Sequence, residues 1–179
     1  RRLVVIPTYN EASNISALLE RIFDAIYGCE VLVVDDGSPD HTAEICKNLQ
    51  SKYPHLHVLE RPAKEGIGSA YRAGFTWGLD RGFDEIIEMD ADGSHLVRNL
   101  QEMLTFSQSS DVVMGTRWID GGSVTNWSLH RRLLSQFGTW YARKALSLPY
   151  RDLTGGLRVY RSCVLSQLNL SLIRSNGYC

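Results

Sequence analysis

Two carboxylates stand two residues apart in Glu88-Met89-Asp90-Ala91-Asp92, directly after the apolar pair Ile86-Ile87. Side chains at i and i+2 share one face of extended backbone. Carboxylates placed so closely repel each other, and neither gains from burial without a counter-charge. A hard divalent cation, Mg²⁺ or Mn²⁺, supplies that charge and takes oxygen ligands. A diphosphate is the commonest reason for such an ion to be present. Taken alone, Asp-x-Asp more often marks a solvated acidic turn.

A second acidic element strengthens the functional reading. Val31-Leu32-Val33-Val34 is a continuous apolar run rich in β-branched residues, the pattern of a buried parallel strand. It leads straight into Asp35-Asp36-Gly37-Ser38-Pro39-Asp40. In open α/β sheets, ligands bind beyond the carboxyl ends of the strands. Two strands are therefore expected to deliver acids to one edge.

The elements that must position these acids alternate along the chain. Strands are expected at Leu3 to Ile6 (closed by Pro7), Val31 to Val34, Leu56 to Leu59, Glu85 to Met89 and Asp111 to Met114. Helical apolar spacing runs from Asn14 to Ile26 through Ile15, Leu18, Leu19, Ile22 and Phe23. Further helices are expected from an Asp40 N-cap through Ile45 and Leu49, from about Gly68 to Leu79, and from Leu96 to Phe106. This order predicts an α/β fold with a central, mostly parallel sheet flanked by helices. The pattern is less regular after Gly115, as suits a segment built around a substrate.

Composition sets the outer bounds. A chain of 179 residues, 44% hydrophobic and 22% charged, fits one globular domain with a real core. A net charge of −1 gives no reason to expect nucleic acid as a partner. Cys29, Cys46, Cys163 and Cys179 are scattered without a Cys-x-x-Cys pair, which predicts reduced thiols in a cytosolic setting. No apolar run approaches the roughly 18 residues of a membrane span. The Gly66-Ile67-Gly68-Ser69-Ala70-Tyr71 stretch is no dinucleotide fingerprint, because Tyr71 stands at the third glycine position and the stretch follows the third strand. No Gly-Lys-Ser/Thr of a P-loop occurs. A phospho-acceptor receiver domain would need a lone acceptor Asp and a later strand lysine, and neither is evident. His41, His55, His57 and His130 lack metal-ligand spacing, and His95 is better read as a hydrogen bonder beside the acids. The sequons at Asn14, Asn126 and Asn169 would be unused in a cytosol-facing domain.

Several segments carry a resemblance. Val5-Ile6-Pro7-Thr8-Tyr9-Asn10-Glu11, Val33-Val34-Asp35-Asp36-Gly37-Ser38 and Met89-Asp90-Ala91-Asp92-Gly93-Ser94-His95 resemble the inverting GT-A glycosyltransferases that use sugar nucleotides. Gly115-Thr116-Arg117, Trp127-Ser128-Leu129-His130-Arg131-Arg132-Leu133-Leu134-Ser135 and Asp152-Leu153-Thr154-Gly155-Gly156-Leu157-Arg158-Val159-Tyr160 narrow it. Together they are similar to the dolichyl- (polyprenyl-) phosphate mannosyltransferases, over nearly the whole chain. The resemblance implies a GT-A (Rossmann-like) fold and mannose transfer from GDP-mannose to a polyprenyl or dolichyl monophosphate. It implies donor binding by Pro7, Tyr9, Glu11, Asp36, Asp90, Ala91 and Asp92. It implies metal binding by Asp90, Asp92 and Ser94, and acceptor-phosphate binding by Arg117, Arg131 and Ser135. Asp92, Arg117 and Arg131 would carry the catalysis. There are departures. Ser94 stands where some relatives carry Gln, Leu96-Val97 replaces a common Pro pair, and relatives continue past Gly177-Tyr178-Cys179. A single domain over residues 1–179, incomplete at its C-terminus, is the resulting expectation.

The chemistry agrees with the residues independently. A divalent ion on the diphosphate stabilises the leaving group of an oxocarbenium-like transition state. A phosphate monoester has its second pKa at about 6, so it is largely a dianion near neutrality and needs no strong base. Arginine suits the task of orienting it, and Arg131 and Ser135 are spaced i, i+4, on one face if helical. Singly, Arg117 or Arg131 is more often a surface or ion-paired arginine. Leu133, Leu134, Phe137, Trp140, Tyr141 and Leu148 have helical spacing that usually means core. Arg131, Arg132, Arg143 and Lys144 flank them, so a basic amphipathic segment making peripheral membrane contact is the sharper reading. A membrane-anchoring subunit or an anchor beyond Cys179 would complete it, at the cytoplasmic face of the endoplasmic reticulum in a eukaryote or of the plasma membrane in a bacterium. The alternatives are a UDP-glucose-dependent glucosyltransferase on the same lipid and a non-catalytic nucleotide-binding subunit.

Overall fold

A computed structural model describes residues 1–93, 97–116, 138, 140, 141, 144, 147, 152 and 155–172. The elements follow in the order β1 (Arg2–Thr8), α1 (Ile15–Ala25), β2 (Cys29–Asp35), α2 (Thr42–Leu49), β3 (Leu56–Glu60), α3 (Ile67–Asp80) and β4 (Glu85–Glu88). Then come α4 (Val97–Phe106), β5 (Val112–Met114), β6 (Arg158–Arg161), α5 (Ser162–Leu165) and a 3₁₀ turn at Leu170–Leu172. The strands form one sheet ordered β3-β2-β1-β4-β6-β5. β1, β2, β3 and β4 are parallel, while β6 runs antiparallel between β4 and β5. The expected α/β sheet, mostly parallel and flanked by helices, is what forms.

Alternation along the strands explains the two-sided core. Val4, Ile6, Val31, Val33, Ile87 and Met89 join α1, α2 and α4 on one face. Leu3, Val5, Leu32, Val34 and Ile86 meet Ala70, Tyr71 and Phe75 of α3 on the other. Successive strand side chains point to opposite faces, so a strand buried on both must be apolar throughout. α3 lies close to the sheet because Gly74 and Gly78 face it. A Cβ at Gly74 would sit 2.3 Å from Val5 Cγ1.

Two sequence expectations need correction. Pro7 does not close β1, which runs on to Thr8. The Val5 carbonyl accepts from Met89 N, so the odd-numbered backbone groups of β1 face β4. The β1–β4 register ends at Val5 and Glu88, so the missing N–H of Pro7 falls where no ladder bond is needed. Asp40 is not the N-cap of α2; that place belongs to His41, in a left-handed conformation. Asp40 acts one residue earlier, its carboxylate accepting from Thr42 N at 3.1 Å and Ala12 N at 2.9 Å. β5 reaches the sheet through β6, which lies between it and β4.

Candidate active site

β1, β2 and β4 run parallel and end at the same edge, so the residues following each are brought together. Pro7, Thr8, Tyr9 and Glu11 after β1, Asp36 after β2, and Asp90, Ala91 and Asp92 after β4 line one cleft of about 260 Å³. The remaining wall is Lys64, Gly66, Ile67 and Ala70, at the start of α3. All seven residues expected to bind the donor therefore lie in this cleft. Ser94, Arg117, Arg131 and Ser135 lie outside the described residues. So does His95, while of the resembling Gly115-Thr116-Arg117 segment the first two are described, with Gly115 N bonded to Leu157 O.

The acids differ in their surroundings. Asp35 is buried and structural: it accepts from Thr8 Oγ1 at 2.8 Å, Ser38 Oγ at 2.6 Å and Ser38 N at 2.8 Å. Asp36 is also buried and pairs through Oδ1 with Arg61 Nη1 at 2.7 Å. Its Oδ2 accepts from the amides of Glu65 and Gly66 at 3.1 and 3.2 Å. Arg61 in turn donates to Ser69 Oγ at 2.7 Å and pairs with Glu65. Asp36 thus pins the start of α3 against the end of β2. Across the cleft mouth, the Lys64 ammonium lies 3.9 Å from the centroid of the Tyr9 ring. Glu11 is anchored by Asn14 Nδ2 at 2.8 Å and, through its amide, by Thr42 Oγ1 at 3.0 Å.

Below the Asp90 and Asp92 pair lies a buried ionic group. Glu88 is wholly buried, with Oε2 3.3 Å from Arg158 Nη1 and accepting from Tyr160 Oη at 3.2 Å. Burial pushes the Glu88 carboxyl up to about 7, against the pull of Arg158 and Tyr160 and with a further push from Asp90. Burial disfavours the Arg158 cation, yet Tyr160 and Glu88 outweigh it and hold the guanidinium charged. Asp90 is half-buried and takes a 3.0 Å hydrogen bond from Tyr71 Oη, while Asp92 is exposed.

This donor set fits a divalent ion delivered with a phosphate. Both side chains are carboxylates on one cleft wall. Mg²⁺-like ions are characteristically held by one or two carboxylates plus substrate phosphates and water rather than by an all-protein cage.

Sequence reasoning missed Arg61, Lys64 and the first turn of α3. The Gly66-Ile67-Gly68 stretch was informative only as a failed dinucleotide motif. Its usable signal was position: a glycine just before a helix, following a strand, at the sheet edge already holding the acids. Gly66 there adopts φ +98, open to glycine at no cost.

The profile of Glycosyl transferase family 2 matches residues 3–168. An undecaprenyl-phosphate mannosyltransferase of Micrococcus luteus is 44% identical over 178 residues, covering 99% of this chain and 73% of that protein. A polyprenol monophosphomannose synthase of Mycolicibacterium smegmatis is 43% identical over 181 residues, covering 100% and 68%. The mannosyltransferase PcManGT of Pyrobaculum calidifontis, solved in complex with GDP-Man and Mn²⁺, matches with a TM-score of 0.64 at 20% identity. That match covers 94% of this chain and 46% of the solved one, and the likeness is one of fold. A profile match of this extent, carried by a GT-A sheet whose strand ends converge on one acidic cleft, makes the chain a member of glycosyl transferase family 2.

Proposed function

We propose that this chain transfers mannose from GDP-mannose to a polyprenyl or dolichyl monophosphate with inversion at the anomeric carbon. The observation that carries the reading is the cleft itself, where the Asp90 and Asp92 pair meets the Pro7, Tyr9, Glu11 and Asp36 wall. The mannosyltransferase and mannose-synthase relatives support the choice of sugar and of lipid phosphate.

Tyr9, Glu11 and Asp36 hold the nucleoside, and Asp90 and Asp92, with Ser94, hold the ion and diphosphate. A divalent ion held there, Mg²⁺ or Mn²⁺, would supply positive charge to offset that of the leaving diphosphate. Ala91 is buried between the two acids and keeps their spacing. Arg117, Arg131 and Ser135 orient the acceptor phosphate against the anomeric carbon, and the dianion attacks without a protein base. The acceptor places the reaction at a membrane surface, and among the described residues no helix is long and apolar enough to cross one. The cytoplasmic face suits the free thiols Cys29, Cys46 and Cys163. An anchor supplied by a partner subunit or by further chain completes the proposal.

The test is transfer of labelled sugar to a short-chain polyprenyl phosphate, with GDP-mannose and UDP-glucose compared in Mn²⁺ and in excess chelator. Lipid-linked mannose is expected only with GDP-mannose and metal. Equal transfer from UDP-glucose would overturn the donor, and full activity in chelator would overturn the metal.

A further inference from the structure

The carboxylate of Asp90 is gripped from two sides by groups with no evident part in the chemistry. Tyr71 is wholly buried on α3, its ring 6.0 Å from that of Phe75. Only its hydroxyl end leaves the apolar cluster, to donate to Asp90 Oδ1 at 3.0 Å. On the other side the chain entering β6 passes hard against the acid. A Cβ at Gly156 would lie 2.2 Å from Asp90 Oδ2 and 2.8 Å from its Cγ. Gly156 is not one of the glycines at positive φ, so its backbone would accept alanine. What excludes a side chain there is the carboxylate.

We propose that Tyr71 and Gly156 are positioning residues that fix the orientation of the Asp90 carboxylate toward the ion and diphosphate, an inference that rests on the donor-and-metal reading above. The torsion that turns a carboxylate is broad, so an isolated Asp would sample many orientations. Ions of the Mg²⁺ type demand near-octahedral ligands and are sensitive to such freedom. The Tyr71 hydroxyl donates to a carboxylate oxygen at 3.0 Å, a charge-assisted bond that holds Oδ1. The bare Cα of Gly156 leaves the room Oδ2 occupies. The bland account is that a buried tyrosine hydroxyl needs any acceptor and Asp90 is the nearest. It predicts a change in stability alone. The positioning account predicts a change in metal response.

The experiment measures GDP affinity calorimetrically, in chelator and in Mn²⁺, for the wild-type chain, Tyr71→Phe and Gly156→Ala, with Mn²⁺ electron paramagnetic resonance on the ternary mixture. Tyr71→Phe keeps the ring and its packing, which protects the fold. In each variant the gain in GDP affinity on adding Mn²⁺ is expected to shrink, with Mn²⁺ affinity lower by on the order of 10–100-fold. GDP affinity in chelator should hold, and transfer should recover as Mn²⁺ is raised. Variants whose Mn²⁺ gain equals wild type, or that lose GDP affinity equally with and without metal, overturn the positioning role alone. A wild-type chain whose GDP affinity ignores Mn²⁺ overturns the metal reading, and the positioning with it.

Discussion

Asp36 commits both carboxylate oxygens inside the protein, one to Arg61 and the other to two amides of the segment before α3. It therefore shapes the wall of the cleft that it lines. Asp36→Asn replaces a charge-paired acceptor by an amide whose NH₂ confronts Arg61 or the amides. Loss of such a bond costs about 1–3 kcal/mol in stability. We expect a lower urea midpoint and a raised KM for GDP-mannose with kcat nearly kept, since ground-state binding is what is lost. A large fall in kcat at unchanged donor affinity would instead give Asp36 a chemical role. Arg131 makes the opposite case. If it holds the acceptor phosphate, Arg131→Ala slows transfer by on the order of 10²-fold or more and leaves GDP titration unchanged, while Arg131→Lys recovers part because a point charge lacks the bidentate fork. Steep loss of GDP affinity in Arg131→Ala would move that residue to the donor side. The acid pair was legible in sequence because spacing and strand context coincide there. Tyr71 was not. Ala70, Tyr71 and Phe75 have the spacing of a core face, and no one-dimensional pattern tells where a buried ring directs its hydroxyl.

The packing of α3 on the sheet shows at the scale of elements how much a single methyl matters. Glycine inside a helix costs roughly 0.5–1 kcal/mol relative to alanine, so propensity alone favours Gly74→Ala. Packing decides otherwise. The new Cβ would lie 2.3 Å from Cγ1 and 3.3 Å from Cβ of Val5, a fully buried β-branched residue whose χ1 is stiff. Overpacking of this kind costs about 1–3 kcal/mol. The same change at Gly78 meets Ile86 Cδ1 and Leu3 Cδ2 at 2.8 Å, the far ends of flexible side chains. Urea denaturation should therefore find Gly74→Ala less stable than wild type and Gly78→Ala less affected. The reverse order would mean that α3 shifts as a body to make room at Gly74. Those parallel strands were readable beforehand because burial on both faces writes a continuous apolar run. β6 was not, since Arg158-Val159-Tyr160-Arg161 carries two arginines in four residues. Its charge is accommodated by Glu88 on the neighbouring strand and, for Arg161, by the carbonyls of Ser107 and Gln108. Those partners lie more than fifty residues away and are invisible to local pattern.

Across the whole molecule, carboxylates of opposite tendency are spread through the fold and give its stability a shape in pH. Burial opposes ionisation of Glu30, but hydrogen bonds from His57 and Arg1 outweigh it and hold the carboxyl below its usual range. Glu85 is likewise held low by Ser107 and Arg2, and Asp40 by Thr42 and the Ala12 amide, in each case against burial. These three tie β2 to β3, β1 to β4, and the turn after β1 to α2. A carboxyl held low in the fold keeps its full stabilisation above its unfolded pKa and loses it as pH falls through the folded one. For Glu85 and Glu30 that loss starts near their ordinary value of 4.5, and for Asp40 near 3.8. Glu88 has the other sign. Its folded pKa of about 7 lies above the ordinary 4.5, so the fold binds a proton that the unfolded chain releases. Stability from Glu88 is complete below 4.5 and declines as pH rises toward 7. Together these four groups give a dome with its summit on the acid side of neutrality, measurable as the urea midpoint from pH 3 to 8 in chelator. Glu85→Gln should lower the summit and flatten the acid limb, because it removes a group that binds protons more tightly unfolded. Glu88→Gln should flatten the neutral limb, leaving the acid limb in place. Midpoints that rise steadily from pH 4.5 to 8 in the wild-type chain would contradict the raised Glu88 carboxyl and leave Arg158 and an ionised Glu88 as a plain buried ion pair.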